Sequence, residues 1–273
     1  MNRKFHFSKA SRRSMNEYIQ AKREGESRPA QAPFAPLVCA ALTHVGKVRS
    51  SNQDALVMSE ALHLYGVADG MGGHKGGETA SSGCRDQVLS ALEGKEPSLS
   101  NLREAIEQAN AALFEQQKQD ESLSGMGTTL SLTWFSADFV YIAHVGDSRV
   151  YCLRGGALQQ MTDDHSLVAE LVRKGMLTQE QAESHPMRNV ITRAVGTEEG
   201  IDIDLAVEER HAGDIWLICS DGLHGLVSDG DMEGILESHA PDKAAKLLLD
   251  AALKAGGRDN ISVVVLHDKE GAQ

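Results

Sequence analysis

The chain has 273 residues, 41% of them hydrophobic but only 4% aromatic, enough for one large domain or two small ones around a mostly aliphatic core. Its net charge of −12 is unevenly spread: residues 1–30 hold eight Lys or Arg against three Glu, a net of +5, so residues 31–273 carry −17. A body this acidic is a poor nucleic-acid binder and suits a protein that concentrates divalent cations, and no apolar run approaches the roughly 20 residues of a membrane span.

Residues 1–36 are polar and basic and close on Pro29, Pro33 and Pro36. They read as a flexible tail and linker, with a short helix near 13–22. The tail could touch an acidic partner or a membrane surface, or simply be disordered. Its start lacks the apolar stretch of a secretory signal. Cys39, Cys84, Cys152 and Cys219 lie far apart and form no CxxC. They read as buried reduced thiols, which points to a cytoplasmic protein. A folded domain over 37–268 and a short C-terminal tail, 269–273, complete the division.

In chain order, 37–43 reads as a first strand, 44–49 as a turn and short strand, and 50–54 as a polar loop before a strand at 55–58. The apolar run 62–68 reads as a buried strand that ends at Asp69 and opens at once into Gly70, Gly72 and Gly73. A helix follows over 78–92. Leu102, Ile106, Ala109 and Leu113 then recur at helical spacing, the core stripe of a second helix. Strands dominate next, at 128–135, 139–145 and 149–153, with hairpin turns at Ala137-Asp138 and Gly155-Gly156. A short helix is expected over 167–174. Another spans 178–183, where Thr178 and Gln181 have capping-box spacing. Residues 175–190 have the composition of a movable flap. Strands at 201–207 and 214–220, helices from Ser228 to about 239 and over 242–255, and a last strand at 261–266 close the chain. Helix pairs outside packed antiparallel sheets fit this order better than a βαβ alternation.

The glycines after Asp69 are not a phosphate loop, because Glu78 and Thr79 stand where Lys and Ser or Thr would be needed. The GxGxxG fingerprint fails too, at Lys75. The repeated feature is an acid at a strand end: Asp69, Asp147 and Asp221, each at the close of an apolar run, and Asp259 just before one. A lone strand-end Asp is usually a turn residue or cap, and Asp229 after Ser228 reads as one. Four such acids together point to a hard-cation site of oxygen ligands. His144 reads as packed in a strand and His165 as a structural hydrogen-bonding residue. Arg193 is read either as pinning the flap or as a surface ion pair.

Eight motifs stand in one order: Arg49-Ser-Ser-Asn-Gln-Asp54, Gly66-Val-Ala-Asp69-Gly-Met-Gly-Gly-His74, Gly127-Thr-Thr129, Val145-Gly-Asp147-Ser-Arg149, Thr162-x-Asp164-His165-Ser166, Asn189-Val-Ile-Thr-Arg-Ala-Val-Gly196, Leu217-Ile-Cys-Ser-Asp221-Gly222 and Arg258-Asp259-Asn260. Over residues 38–268 this resembles the metal-dependent protein phosphatases of the protein phosphatase 2C (PPM) type, in their compact bacterial branch. The resemblance implies an α+β fold, a four-layer αββα sandwich with two central antiparallel sheets flanked by helix pairs. It implies Mn²⁺ or Mg²⁺, two bridged ions with the third often seen in bacterial members. It implies hydrolysis of phosphoserine and phosphothreonine in proteins by a metal-bridging hydroxide, opposing a bacterial Ser/Thr kinase, in a monomer.

By motif position, Asp69 would bridge two ions, the Gly70 carbonyl would bind one, and Asp221 and Asp259 would complete the pair. Asp147 with Asp221 would take the third ion, and Arg49 would hold the substrate phosphate. Asn260 would orient Asp259 or its turn. The chain departs from the family in two places. Gln53 replaces a frequent Glu, which leaves Asp54 as the supporting acid. Met71 stands where members of other branches carry a His general acid, so either nearby His74 or a metal-bound water is left to protonate the leaving group. Two competing readings remain: a catalytically silent phosphoprotein-binding member, and a hydrolase of small phosphate esters. The intact set Asp69, Asp221 and Asp259 argues against the first.

Overall fold

The structure is a computed structural model that describes residues 36–269; of Gly73, His74 and Lys75 the backbone alone is described. The expected tail and its helix therefore lie outside the described residues, apart from Pro36. In chain order the strands are β1 (Leu37–His44), β2 (Asp54–Ser59), β3 (Leu64–Met71), β4 (Gly127–Thr128), β5 (Leu130–Phe135), β6 (Phe139–Val145), β7 (Arg149–Arg154), β8 (Ala157–Gln160), β9 (Asp204–Glu209), β10 (Ile215–Cys219) and β11 (Ile261–Asp268). The helices are α1 (Gly73–Leu92), α2 (Leu99–Gln119), α3 (Leu167–Arg173), α4 (Gln179–Glu183), α5 (Asp221–His224), α6 (Asp229–Ser238) and α7 (Pro241–Lys254). A single 3₁₀ turn covers Glu121–Leu123.

One sheet runs β1-β11-β10-β7-β8 and the other β2-β3-β5-β6-β9, with β4 paired to the end of β3. Every described pairing is antiparallel. Side-chain alternation builds three apolar layers from these two sheets. On β5, Leu130, Leu132 and Trp134 join a core with Ala80, Cys84 and Val88 of α1 and Leu102, Ile106 and Leu113 of α2. On β10 and β11, Leu217, Cys219, Val263 and Val265 join a second core with Leu236 of α6 and Leu248 of α7. The opposite faces meet between the sheets. There Phe135 of β5 and Trp216 of β10 pack edge to face, with ring centroids 6.0 Å apart. Tyr65 of β3 adds a second edge contact to Phe135 at 6.1 Å. The result is the expected four-layer αββα sandwich.

Local chemistry explains most element ends. Ser98 caps α2 by accepting from the Asn101 amide at 3.1 Å, which places Leu102, Ile106, Ala109 and Leu113 on the buried face. Thr178 and Gln181 form the capping box foreseen for α4. Pro241 opens α7, where its missing N–H costs nothing.

Three expectations need correction. Residues 45–49 form a turn, not a short strand: Gly46 and Lys47 are pressed against the 257–259 backbone, with the Lys47 amide donating to the Gly257 carbonyl at 2.7 Å. The strand expected over 128–135 is split at Thr129, so that β4 pairs with β3 while β5 continues the sheet. Helix α1 begins at Gly73, not near Glu78. Tertiary contact overrides the low helix propensity of glycine there: a Cβ on Gly77 would lie 2.7 Å from the Gln53 side chain.

Candidate active site

The loop ends on one side of the sandwich converge on a cleft of about 400 Å³. Arg49, Ser50, Ser51 and Gln53 line it, as do Asp69 to Gly72, Asp147, Asn189, Ile191, Asp221, Asp259 and Asn260. All four strand-end acids thus meet, from four segments far apart in the chain.

Asp69 sits near the end of β3, opposite Asp54 of β2 in the sheet register. Its backbone is gripped on both sides. The Asp69 amide donates to Thr129 Oγ1 at 2.9 Å, and its carbonyl accepts from the Thr129 amide at 2.8 Å and from Thr128 Oγ1 at 2.9 Å. Gly70 then passes so close to α1 that an added Cβ would lie 2.0 Å from the Gly77 carbonyl oxygen, which only glycine permits. Asp221 opens α5 directly after β10. The residue behind it, Gly222, is pressed so hard on the next segment that a Cβ would lie 1.9 Å from the Asn260 carbonyl oxygen.

Asp259 accepts from the Asn260 amide at 2.9 Å on one oxygen and from Arg49 at 2.7 Å on the other. Asn260 is buried and spends its side chain on the loop that carries Arg49. It donates to the carbonyls of Val45 at 3.0 Å and Ser51 at 2.9 Å, and accepts from the Gln53 amide at 2.8 Å. Its side chain therefore braces the 45–53 loop, whereas the expected role was to orient Asp259 or its turn. Asp147 follows β6, and its backbone carbonyl faces Nε2 of His224 at 2.9 Å. That contact makes Nε2 the protonated nitrogen.

Burial and mutual repulsion dominate the electrostatics. Asp69 and Asp221 are driven well above the usual carboxylate range, first by desolvation and then by the acids around them. Desolvation also raises Asp54 to about 6 and Asp147 to about 7. Arg49 is held more firmly protonated, chiefly by its hydrogen bond to Asp259. Among the described residues no three His, Cys, Asp or Glu stand close enough together, as they are, to grip a metal ion; the four acids share the lining of the cleft. Asp54 Oδ1 and Asp221 Oδ1 are buried with no hydrogen-bond partner. Buried carboxylate oxygens that repel one another and lack donors are what a hard divalent cation satisfies, so the donor set fits Mn²⁺ or Mg²⁺.

The structure thus places Arg49, Gln53, Asp69, Gly70, Asp147, Asp221, Asp259 and Asn260 on one cleft. Asp54 stands behind it, accepting from Ser220 Oγ at 2.8 Å. The side chain of His74 lies outside the described residues. Of the supporting residues, Ser220 and Asn52 lie within quoted motifs, while Thr43 and Ser262 had no distinct sequence signal. Ser220 also accepts from the Ser262 amide, Ser262 shares a hydrogen bond with Thr43, and Asn52 donates to Thr43. Within two of the quoted motifs, Arg149 and Asp164 form a two-pronged ion pair at 2.9 and 2.7 Å. His165 is buried, accepts from the Gly146 amide at 3.1 Å and approaches Asp204 at 3.4 Å. Arg193 meets the same Asp204 at 3.3 Å. Beside them the flap is fastened by hydrogen bonds from Leu167 to Val190 and from Thr192 to His165.

A two-sheet sandwich with helix pairs outside and a carboxylate cleft at the strand ends defines a class of metal-dependent phosphatases. The family model described as protein phosphatase 2C matches residues 43–250, and the chain belongs to that family. It is 40% identical over 229 residues to the serine/threonine protein phosphatase PstP of Mycobacterium tuberculosis, covering 83% of this chain and 44% of PstP. It is 37% identical over 240 residues to the protein phosphatase PhpP of Streptococcus pneumoniae, covering 84% of this chain and 96% of PhpP. Among solved structures, the catalytic domain of PstP in complex with two manganese ions matches with a TM-score of 0.79 at 37% identity, covering 86% of this chain and 99% of that one. The chain thus spans less than half of the length of PstP but nearly all of its catalytic domain. Among the described residues no helix is long and apolar enough to cross a membrane.

Proposed function

We propose that the protein is a metal-dependent serine/threonine protein phosphatase whose activity resides in residues 37–268. The observation that carries this reading is the convergence of Asp69, Asp147, Asp221 and Asp259 on one cleft beside Arg49. Asp69, the Gly70 carbonyl, Asp221 and Asp259 would hold two ions. Asp147 and Asp221 would hold a third. When bound, Mn²⁺ or Mg²⁺ supplies a hydroxide nucleophile near neutral pH and positive charge for the phosphoryl oxygens.

The chain's own residues do the rest. Arg49 offers a planar fork of donors to the phosphate, exchanging its Asp259 partner for the substrate. Asn260 holds the Arg49 loop in register with Asp259, so phosphate holder and metal ligand share one support. Thr128 and Thr129 fix the backbone on both sides of Asp69. Asp54 accepts from Ser220, which ties the acid opposite Asp69 to the residue before Asp221. The cleft is open to solvent beside the flap, which suits a phosphorylated side chain on a protein. We read the protein as a cytoplasmic monomer that opposes a bacterial Ser/Thr kinase; the relatives support its bacterial setting and its phosphatase class.

The test is phosphate release from a phosphothreonine peptide, with and without Mn²⁺, by the wild type and Asp221→Asn. Release that requires Mn²⁺ and falls by about 10³-fold in the folded variant is expected. No release with any divalent ion, from folded protein, would replace this reading with the phosphoprotein-binding one.

A further inference from the structure

Among the described residues, the large hydrophobic side chains that stand exposed are Val48, Met176, Met187 and Val190, at 41% to 70% exposure. Single exposed apolar residues need no explanation. Their distribution does. All four fall on two segments, the loop that carries Arg49 and the 175–190 flap, and both segments reach the cleft. Val48 adjoins Arg49, while Met187 and Val190 bracket Asn189; Arg49 and Asn189 both line the cleft. The backbone on the flap side is fixed, with the Val190 amide donating to the Met187 carbonyl and the Val190 carbonyl accepting from Leu167. These side chains are therefore held outward by ordered backbone.

Charge narrows the occupant. Residues 31–273 carry −17, and a phosphorylated residue brings a further −1.5 to −2. Long-range charge is then unfavourable for an acidic segment, and the exposed side chains beside the cleft offer apolar area for short-range burial instead. We propose that Val48, Met187 and Val190 form an apolar rim that seats hydrophobic side chains flanking the phosphorylated residue of an extended phosphoprotein segment. This rests on the phosphatase reading above and adds a substrate class to it: apolar-flanked phosphothreonine or phosphoserine, in preference to polar-flanked sites.

The experiment compares two phosphothreonine peptides, alike except for Leu or Ser on either side of the phosphorylated residue, with Mn²⁺ present. The enzymes are the wild type and the triple variant Val48→Ser, Met187→Ser, Val190→Ser. Exposed positions tolerate such changes with little effect on folding. The wild type is expected to favour the Leu-flanked peptide by about tenfold in kcat/KM. In the triple variant that ratio should fall to about twofold or less, while turnover of a small aryl phosphate stays unchanged. Equal wild-type turnover of both peptides overturns the proposal, and so does a preference that survives in the variant. If sedimentation shows a dimer that the triple variant dissolves while the preference persists, the rim is covered by a second copy instead. Failure to turn over even the aryl phosphate would mark the collapse of the phosphatase reading itself.

Discussion

The titration of single carboxylates ties the cleft to pH. Asp54 and Asp147, at about 6 and about 7, lie above the ordinary Asp value of 3.8. A folded pKa raised in this way means that the metal-free native state holds protons that the unfolded chain has released. The stability linked to these groups is present below the unfolded pKa and is lost as pH rises through 6 and 7. His144 and His224 act in the opposite sense. Burial lowers them to about 4 and about 3, so the unfolded chain gains protons first as pH falls below the ordinary value of 6.5. A bound divalent cation relieves the carboxylates and leaves the histidines alone. The rise in Tm on adding Mn²⁺ is therefore expected to grow between pH 5.5 and 7.5, read from paired thermal melts. A Tm gain independent of pH would place the ion away from these acids. The acids were legible from sequence because each interrupts an apolar run beside a glycine or an apolar strand start. The contacts that position them, Ser220 to Asp54 and His224 to the Asp147 carbonyl, were not legible. Each joins residues with no common local pattern.

Short elements do more here than their length suggests. Helix α5 has four residues, fewer than any helical period needs to show itself, and it escaped the sequence reading for that reason. It carries Asp221 at one end and His224 at the other, so a single turn of chain fixes one acid of the cleft directly and the Asp147 loop through a hydrogen bond. Its close fit depends on Gly222. Substitution by Ala would drive a methyl group into the Asn260 carbonyl, and a loss of about 3 kcal/mol, or about 8 °C in Tm, is expected from thermal unfolding. The long helices show the opposite behaviour. The stripe of Leu102, Ile106, Ala109 and Leu113 announced α2, because burial of one face is enforced at every turn. The early start of α1 stayed hidden, since Gly76 and Gly77 read locally as a loop and act as helix only through packing against Met126 and Gln53.

At the scale of the molecule, the two sheets are joined by apolar packing at Phe135 and Trp216 and by a buried ion pair. Arg210, just after β9, pairs with Asp268 at the end of β11, and both side chains are almost wholly buried. Arg210 also donates to the Ser136 carbonyl at 3.0 Å. Removing one partner strands the other, so Asp268→Asn is expected to lower stability by about 3–5 kcal/mol. The Mn²⁺ concentration that gives half-maximal activity should stay unchanged, because none of these residues lines the cleft. A shift in that midpoint would show that the ion pair shapes the site. The alternation of sheets and helix pairs was readable from hydrophobic period alone. Which acid each buried arginine would meet was not, because sheet pairing brings together residues 58 positions apart.

In the first sheet β11 lies between β1 and β10. This interior strand is thus the last of the described strands to leave the ribosome, and Asp259 stands two residues before it. Until that segment emerges, a nascent chain has neither the strand that joins β1 to β10 nor the complete set of acids. Before residues 259–268 are made, the cleft thus lacks one of its four acids and the sheet lacks the strand between β1 and β10.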